Sequence, residues 1–259
     1  MAKAARQDWT REDTLLVLHL YWRIPFGQQD ARNQRVIGLA AILGRTPGSI
    51  SMKLNNFTSL DPAERARGVK GLPNTSALDR SLIAQFTTGD TAIVSEAEAL
   101  WRARVEGFSP SGSAPPIASA PLVTEAEGLR RVRLGQDFFR RVVLENFNGR
   151  CALTGLATPE LLVASHVVPW ADDETRRVDP GNGIALNRLH DAAFDRHLIT
   201  FDEDLRLVVG RRVRDEVTRG ELAAAFLAYE GKPLSAPVRH ALSEPLLARH
   251  REVFGRIAA

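Results

Sequence analysis

Three polar residues in the second half of the chain have the types and the order that hydrolysis of a phosphodiester needs. His166 lies in an apolar segment typical of a strand, Asn182 lies in a turn, and His190 opens a short helical segment. A strand histidine can take a proton from water, an amide can fix the orientation of that ring, and a helix histidine can hold a divalent cation against a phosphate. A single histidine on an apolar strand is usually a core residue, but the three together predict a catalytic site with one metal ion.

These residues and their neighbours resemble the HNH (ββα-metal) nucleases. The chain has His-x-x-Pro-Trp at 166–170 and Leu-x-x-Leu-His-x-x-x-Phe-Asp at 186–195. The resemblance implies that His166 is the general base, that Asn182 orients its ring through a carbonyl contact, and that His190 holds Mg²⁺ or Mn²⁺. One such site cuts one strand, so a break in both strands needs two sites, and we expect a homodimer.

The other metal ligands depart from the usual HNH pattern. Many such nucleases place Asp or His just before the general base, where this chain has Ser165. The usual second helix ligand lies four residues after the first, on the same helical face, and here that residue is Phe194. We therefore expect His190 and Asp195 as ligands, with Ser165 as a weak third and Asp191 as the alternative carboxylate. Asp195 could equally cap the helix end or form an ion pair there.

The resemblance covers roughly residues 147–205 and includes the chain's single cysteine. One cysteine permits neither an internal disulfide nor the paired-cysteine zinc clamps that brace many HNH nucleases. Cys151 occupies the place of the first such pair, so we expect it to be a buried, small apolar residue and not a nucleophile.

Length and composition predict two modest globular domains. The 259 residues are 44% hydrophobic and 25% charged, which suits a protein with a substantial core. The sequence has no apolar run long enough for a bilayer and no secretory h-region near its start, so we expect a cytoplasmic protein. A net charge of +3 and a pI of about 9.4 weakly favour a polyanionic partner.

A stretch rich in Pro, Ser, Gly and Ala divides the chain. Residues 108–121 carry no charge and no periodicity, which is typical of a semi-extended tether. We expect a DNA-recognition domain at 1–106, a flexible linker at 107–122 and the HNH domain at 123–259. The expected fold class is α+β, with a mostly helical DNA-reading domain linked to a ββα-metal domain with surrounding helices.

Two adjacent helices are predicted in the N-terminal domain. One runs from about residue 33 to 43 and is closed by Gly44, and the next starts with Thr46 as its N-cap and Pro47 as its first residue. The pair has the outline of a helix-turn-helix DNA reader, although packed helices with polar outer faces are also common for structural reasons alone. The second helix would offer free N–H groups and a positive dipole to a phosphate.

The same region resembles the sulfur-binding domains that recognise phosphorothioate DNA. The resemblance rests on residues 44–57, 59–62 and 68–72, and it covers most of 9–86. In that family the domain is often joined to an HNH domain. The combination implies a type IV, modification-dependent restriction endonuclease that acts on double-stranded DNA.

The chemistry of a phosphorothioate suggests which residues contact it. The sulfur is a poor hydrogen-bond acceptor, so a reader would offer it apolar surface and keep cationic donors for the oxygens. We expect Pro47, Gly48 and Ser49 to meet the sulfur, Arg45 and Lys53 to hold flanking phosphates, and a polar cluster to meet base edges. The residues predicted to contact DNA are Arg32, Asn33, Gln34, Arg45, Thr46, Pro47, Gly48, Ser49 and Lys53.

Several alternatives remain open. Residues 25–26 and 72–73 are rival apolar contacts, and Pro47 could be a plain helix-start proline. The N-terminal domain could read methylated or hydroxymethylated cytosine, for which an aromatic pocket would be needed. The protein could also be a non-catalytic DNA-binding regulator with a decayed nuclease fold, since Ser165 and Phe194 depart from the pattern.

Overall fold

The computed structural model describes residues 8–107, 123–216 and 225–258. The chain divides into two compact units, residues 1–135 and 136–259. Apart from Gly107, the predicted linker lies outside the described residues, so the domain boundaries stay a prediction. The predicted α+β class is confirmed, because helices dominate and the described strands form two small two-stranded sheets.

The first unit is helical. The six α-helices of its described residues 8–107 all start at a residue whose side chain accepts a hydrogen bond from a backbone N–H of the first turn; these N-caps are Thr10, Asn33, Thr46, Asp61, Ser76 and Asp90. The helices are α1 (Arg11–Tyr21), α2 (Gln34–Ile42), α3 (Pro47–Leu60), α4 (Pro62–Ala66), α5 (Ala77–Thr87) and α6 (Thr91–Trp101).

Helix α1 forms the centre of this unit. It is buried from Asp13 to Tyr21 because α3, α5 and α6 pack around it. The polar groups that it buries have partners: His19 Nε2 lies 2.8 Å from the Glu98 carboxylate, and the Tyr21 hydroxyl donates to Asp61. Pairing of this kind offsets part of the cost of removing polar groups from water.

Helix α7 (Val123–Asn146) is the longest helix described and continues from the first unit into the second. No helix among the described residues is both long and apolar enough to cross a membrane. In the second unit, α7 contributes Phe139 and Val143 to a core that also contains Phe147, just after the helix, and Cys151, which is fully buried as predicted.

The second unit has the order strand, strand, helix at its centre. Strands β1 (Leu162–His166) and β2 (Gly183–Asn187) are antiparallel, with His166 opposite Gly183. Helix α8 (Arg188–Asp195) follows β2 directly and packs on both strands. The remaining elements are the hairpin β3 (Ile199–Phe201) and β4 (Leu207–Val209), then α9 (Arg211–Glu216) and α10 (Glu244–Ala258).

Candidate active site

His166, the last residue of β1, is held between two aromatic rings. Its imidazole stacks on Phe139 with ring centroids 3.8 Å apart and an angle of 11° between the planes. Trp170 meets it edge-on, with centroids 5.6 Å apart. Both contacts restrict rotation of the imidazole about its bond to Cβ.

The hydrogen bond of His166 determines which ring nitrogen can accept a proton. Nε2 lies 3.0 Å from the backbone carbonyl oxygen of Arg177. Because a carbonyl can only accept, Nε2 must carry the hydrogen, and in the neutral ring Nδ1 is left with the lone pair. Burial lowers the pKa of His166, while the Arg177 carbonyl and the charge of Asp195 act to raise it. The net lowering favours a neutral ring at neutral pH, as a general base requires.

Asn182 acts on the backbone and not on the histidine ring, which corrects the predicted ring contact. Its Oδ1 accepts from Val168 N at 2.8 Å, and its Nδ2 donates to the carbonyls of Val168 and Arg176 at 3.0 and 3.2 Å. The reason is geometric: a buried amide offers both donors and an acceptor, so it can join the two ends of the loop that follows β1. The next residue, Arg177, supplies the carbonyl for His166.

A second set of contacts closes the same loop. Arg177 Nε donates to the carbonyl of Trp170, and its guanidinium lies 5.5 Å from the centre of the Trp170 ring. Glu174 forms an ion pair with Arg177 at 3.1 Å. The sequence analysis missed Arg177, because its catalytic contact is made by a backbone atom that no side-chain pattern identifies.

Two carboxylates on α8 lie beside the histidine. Asp191 and Asp195 are four residues apart and so share one face of the helix. The negative charge of Asp195 acts to raise the pKa values of His166, His197 and Asp191 alike, so it lies near all three. Burial raises the pKa of Asp191, and this effect outweighs the opposing influence of its polar neighbours.

Ser165 lies close to this carboxylate pair. Its hydroxyl is close enough to Asp191 to lower the pKa of that carboxyl, and so are the guanidinium groups of Arg188 and Arg196; burial outweighs these three effects. The Ser165 side chain is buried, and its Oγ has no hydrogen bond of ordinary geometry to the described residues. A buried oxygen without a partner is costly unless something else satisfies it.

His190 is also buried without a hydrogen-bond partner. Neither ring nitrogen is bonded to a described residue, and the rings of Phe226 and Tyr229 meet the imidazole edge-on. Burial lowers the pKa of His190 to about 4, so the ring is neutral at neutral pH. A neutral imidazole with a free lone pair is the form that binds a metal ion.

The structure does not bring the predicted ligand pair of His190 and Asp195 together. The two residues are five apart on α8, which turns their side chains about 140° from each other. Asp195 is exposed, and the pKa of His190 responds to burial alone and not to the Asp195 charge. The described residues contain no group of three or more His, Cys, Asp or Glu that could hold a metal.

The structure does gather the fallback carboxylate, Asp191, with Asp195 and Ser165. Two carboxylates and a hydroxyl are hard oxygen donors of the kind that Mg²⁺ and Mn²⁺ prefer. The burial of the Ser165 hydroxyl beside Asp191 and the raised pKa of Asp191 both fit a cation between these groups. Mg²⁺ usually keeps several waters, so it does not need a complete cage of protein ligands.

A histidine pair that the sequence analysis did not assign supports the end of α8. His197 Nδ1 lies 3.0 Å from His250 Nε2, and His250 Nδ1 lies 2.9 Å from Thr200 Oγ1. His250 also stacks on Phe194, with centroids 3.9 Å apart. His197 has a φ of 51°, which is uncommon for a residue other than glycine. The partners are at least fifty residues apart, so sequence spacing carries no signal for them.

The first three predicted DNA contacts lie at the start of α2. Arg32 is almost fully exposed and forms an ion pair with Asp30 at 3.4 Å. Asn33 uses its Oδ1 to cap α2 through Arg35 N, so that oxygen is already occupied, while Gln34 is exposed. Arg32 and Gln34 are therefore presented at the surface.

The next group forms the start of α3. Thr46 Oγ1 accepts a hydrogen bond from Ser49 N, so this side chain caps the helix. Gly48 is exposed, and a Cβ built on it would meet nothing within 4 Å; Pro47 beside it is half-buried. Thr46, Pro47, Gly48 and Ser49 thus lie together at an open helix N-terminus.

Arg45 and Lys53 do not present their charges to solvent, which corrects their predicted role as phosphate contacts. The Arg45 side chain is 5% exposed and bonded to Asp13 at 3.1 Å, and the Lys53 side chain is 4% exposed and 2.8 Å from Asp79. Both cations cover the Trp9 ring, at 3.9 and 4.5 Å from its centre. They neutralise buried carboxylates, which would be very costly to leave unpaired.

One comparison with known proteins bears on this site. Residues 151–202 match the model of an HNH endonuclease family, and this segment contains β1, β2 and α8 with every candidate residue of the catalytic centre from Ser165 to Asp195. No curated protein matches the chain. The second unit therefore carries an HNH endonuclease domain, and such domains generally use a divalent metal ion and act on DNA.

Proposed function

We propose that the protein is a type IV, modification-dependent restriction endonuclease. Its N-terminal unit recognises phosphorothioate-modified duplex DNA, and its HNH domain hydrolyses a phosphodiester bond. The proposal that this domain hydrolyses DNA is supported by His166, whose lowered pKa favours a neutral ring. The Arg177 carbonyl fixes that ring, and the charge of Asp195 lies nearby. The resemblance of residues 44–72 to sulfur-binding domains carries the choice of substrate.

In this proposal the proton of the attacking water goes to His166 Nδ1. The ring becomes an imidazolium as the water oxygen bonds to phosphorus and the bond from phosphorus to the leaving 3′ oxygen breaks. The Arg177 carbonyl, which accepts from Nε2–H, and the nearby carboxylate of Asp195 stabilise the positive charge that develops on the ring. The aromatic contacts hold the ring in place while this happens.

The candidate metal ligands are Asp191, Asp195 and Ser165; the Ser165 hydroxyl and the Asp195 charge both act on the pKa of Asp191, which supports this choice. His190 is the further donor that the sequence predicts, and its unpartnered ring nitrogens keep it a candidate. When bound, a divalent ion would stabilise negative charge on the scissile phosphate and on the leaving 3′ oxygen.

The proposed sulfur contact is the start of α3. The positive dipole at this helix start suits the phosphate oxygens, and Pro47 beside the open position of Gly48 offers apolar surface. Arg32 is an exposed cation in the same unit. A cytosine reader would need an open aromatic pocket, but Tyr21, Trp22, Phe57 and Phe86 are buried in the described part of this unit, and Arg45 and Lys53 cover the Trp9 ring, which leaves Phe26 as the exposed ring.

A homodimer is part of the proposal, because one site of this kind cuts one strand. Two copies bound at one modified duplex would place a site on each strand. Analytical ultracentrifugation with and without DNA would measure the stoichiometry, and a monomer on DNA that nicks only one strand would contradict this part.

Binding to matched duplexes tests the choice of substrate. We would compare one duplex with and without a single Rp phosphorothioate, together with methylcytosine and hydroxymethylcytosine versions, by gel shift. The proposal predicts selective binding to the sulfur duplex and Mn²⁺-dependent cleavage that is lost in His166→Ala. Equal binding to the sulfur and oxygen duplexes would remove the phosphorothioate claim, and preference for a modified cytosine would replace it.

A further inference from the structure

Phe139 stacks closely on the candidate general base. Its ring comes from α7, is 1% exposed, and lies nearly parallel to the His166 imidazole at 3.8 Å. Many aromatic pairs adopt tilted or edge-to-face arrangements with longer separations. The Phe139 ring therefore covers one whole face of the imidazole.

The residue opposite His166 leaves the space that this ring needs. Gly183 pairs with His166 across the sheet, and a Cβ on it would lie 2.8 Å from Phe139 Cζ and 2.3 Å from Val143 Cγ2. Distances below 3.0 Å essentially do not occur for real Cβ atoms. The backbone of Gly183 has φ −129° and ψ 134°, which any residue can adopt, so the requirement for glycine here is steric.

We propose that Phe139 is a positioning residue for the His166 base and that Gly183 provides the room for it. This inference rests on the proposed hydrolytic function of the site. A flat ring on one face prevents the imidazole from turning about its Cβ–Cγ bond. Nε2 then stays on the Arg177 carbonyl, and Nδ1 keeps its lone pair for the water.

Helix α7 offers a matched control for this idea. Phe138 is the neighbouring residue and is also 1% exposed, but it lies outside the core cluster that surrounds His166. Phe138→Leu and Phe139→Leu therefore make the same change at the same depth in one helix. A difference between the two variants reports the contact with the imidazole and not the loss of an aromatic ring from a core.

The first readout is the tautomer of His166, observed in the full-length protein by ring ¹³C and ¹⁵N chemical shifts at one pH. The wild type and Phe138→Leu should show the Nε2–H form. Phe139→Leu should show a mixture of tautomers. This measurement does not depend on nuclease activity, so it separates failure of the positioning role from failure of the proposed function.

The second readout is the pair of kinetic constants, kcat and KM, measured separately for cleavage of the duplex that wild type cuts. Phe139→Leu should lower kcat by at least about tenfold with KM for DNA unchanged, because misplaced catalytic groups lose rate steeply. Gly183→Ala, which displaces the ring without removing it, should have the same effect and serves if Phe139→Leu does not fold. The proposal is overturned if Phe139→Leu keeps the wild-type tautomer, or if it matches Phe138→Leu in kcat.

Discussion

Asn182 gives the sharpest test of how this site is built, because sequence and structure assign it different tasks. The sequence predicts that Asn182 orients the His166 ring through a carbonyl contact. In the structure its amide instead bonds Val168 through both N–H and carbonyl, and also bonds the carbonyl of Arg176. Replacement by Ala should therefore loosen the loop first and affect the base only through Arg177.

The expected size follows from the groups left without partners. Asn182 is 1% exposed and Val168 is 2% exposed, so Asn182→Ala leaves two buried backbone groups of Val168 unsatisfied. An unsatisfied buried group costs about 1–3 kcal/mol, which gives a loss of about 3 kcal/mol after some relaxation. If the Arg177 carbonyl moves by about 1 Å, kcat should fall by about 100-fold.

Urea unfolding and single-turnover cleavage would measure the two effects in the same preparations. Asn182→Asp is the informative companion, because it keeps the acceptor for Val168 N but sets a buried carboxylate against the carbonyls of Val168 and Arg176, so its loss of stability should exceed that of Asn182→Ala. The reasoning is refuted if Asn182→Ala abolishes cleavage while the free energy of unfolding and the His166 tautomer stay as in wild type. That result would restore a direct role for Asn182 in the chemistry.

Three further predictions follow from buried or clustered charges. Lys53→Met should lower the free energy of unfolding by about 3 kcal/mol, because the buried Asp79 carboxylate loses its cation. The salt dependence of DNA affinity should not change in this variant. A weaker dependence of affinity on salt than in wild type would show that Lys53 contacts a phosphate. Burial lowers the pKa of His250 to about 4, below its unfolded value of 6.5, so the unfolded chain binds the proton first as the pH falls. His250 alone should therefore cost about 3 kcal/mol of stability between pH 6.5 and 4, with His190 adding to the drop, and His250→Asn should make this part of a denaturation series shallower. Asp195→Asn should raise the Mn²⁺ concentration for half-maximal cleavage, whereas an unchanged metal requirement would exclude Asp195 as a ligand.

Features specified by neighbouring residues were predictable from the sequence. Thr46 and Pro47 mark the start of α3 because capping and a fixed proline φ act within one turn. The hairpin of β3 and β4 follows from two short apolar runs around an acidic turn. The strand bearing His166 and the helix bearing His190 were found in the same way, from local pattern and spacing.

Features specified by tertiary contact were not predictable. The burial of Lys53 depends on Asp79 and Trp9, and nothing in the local sequence separates it from an exposed lysine. The partner of His166 is a backbone carbonyl, and the ring that stacks on it lies 27 positions earlier in the chain. These contacts depend on how α7 and the loop after β1 pack, which periodicity does not determine.

The most direct test of the central claim is cleavage of one end-labelled duplex, with and without a single Rp phosphorothioate, in Mn²⁺ by wild type and His166→Ala. The account predicts that wild type cuts the sulfur duplex, leaves the oxygen duplex intact, and loses cleavage but not binding in His166→Ala. Cleavage that persists in a folded His166→Ala would contradict the assignment of the general base. Equal cleavage of both duplexes would contradict the proposed dependence on the modification.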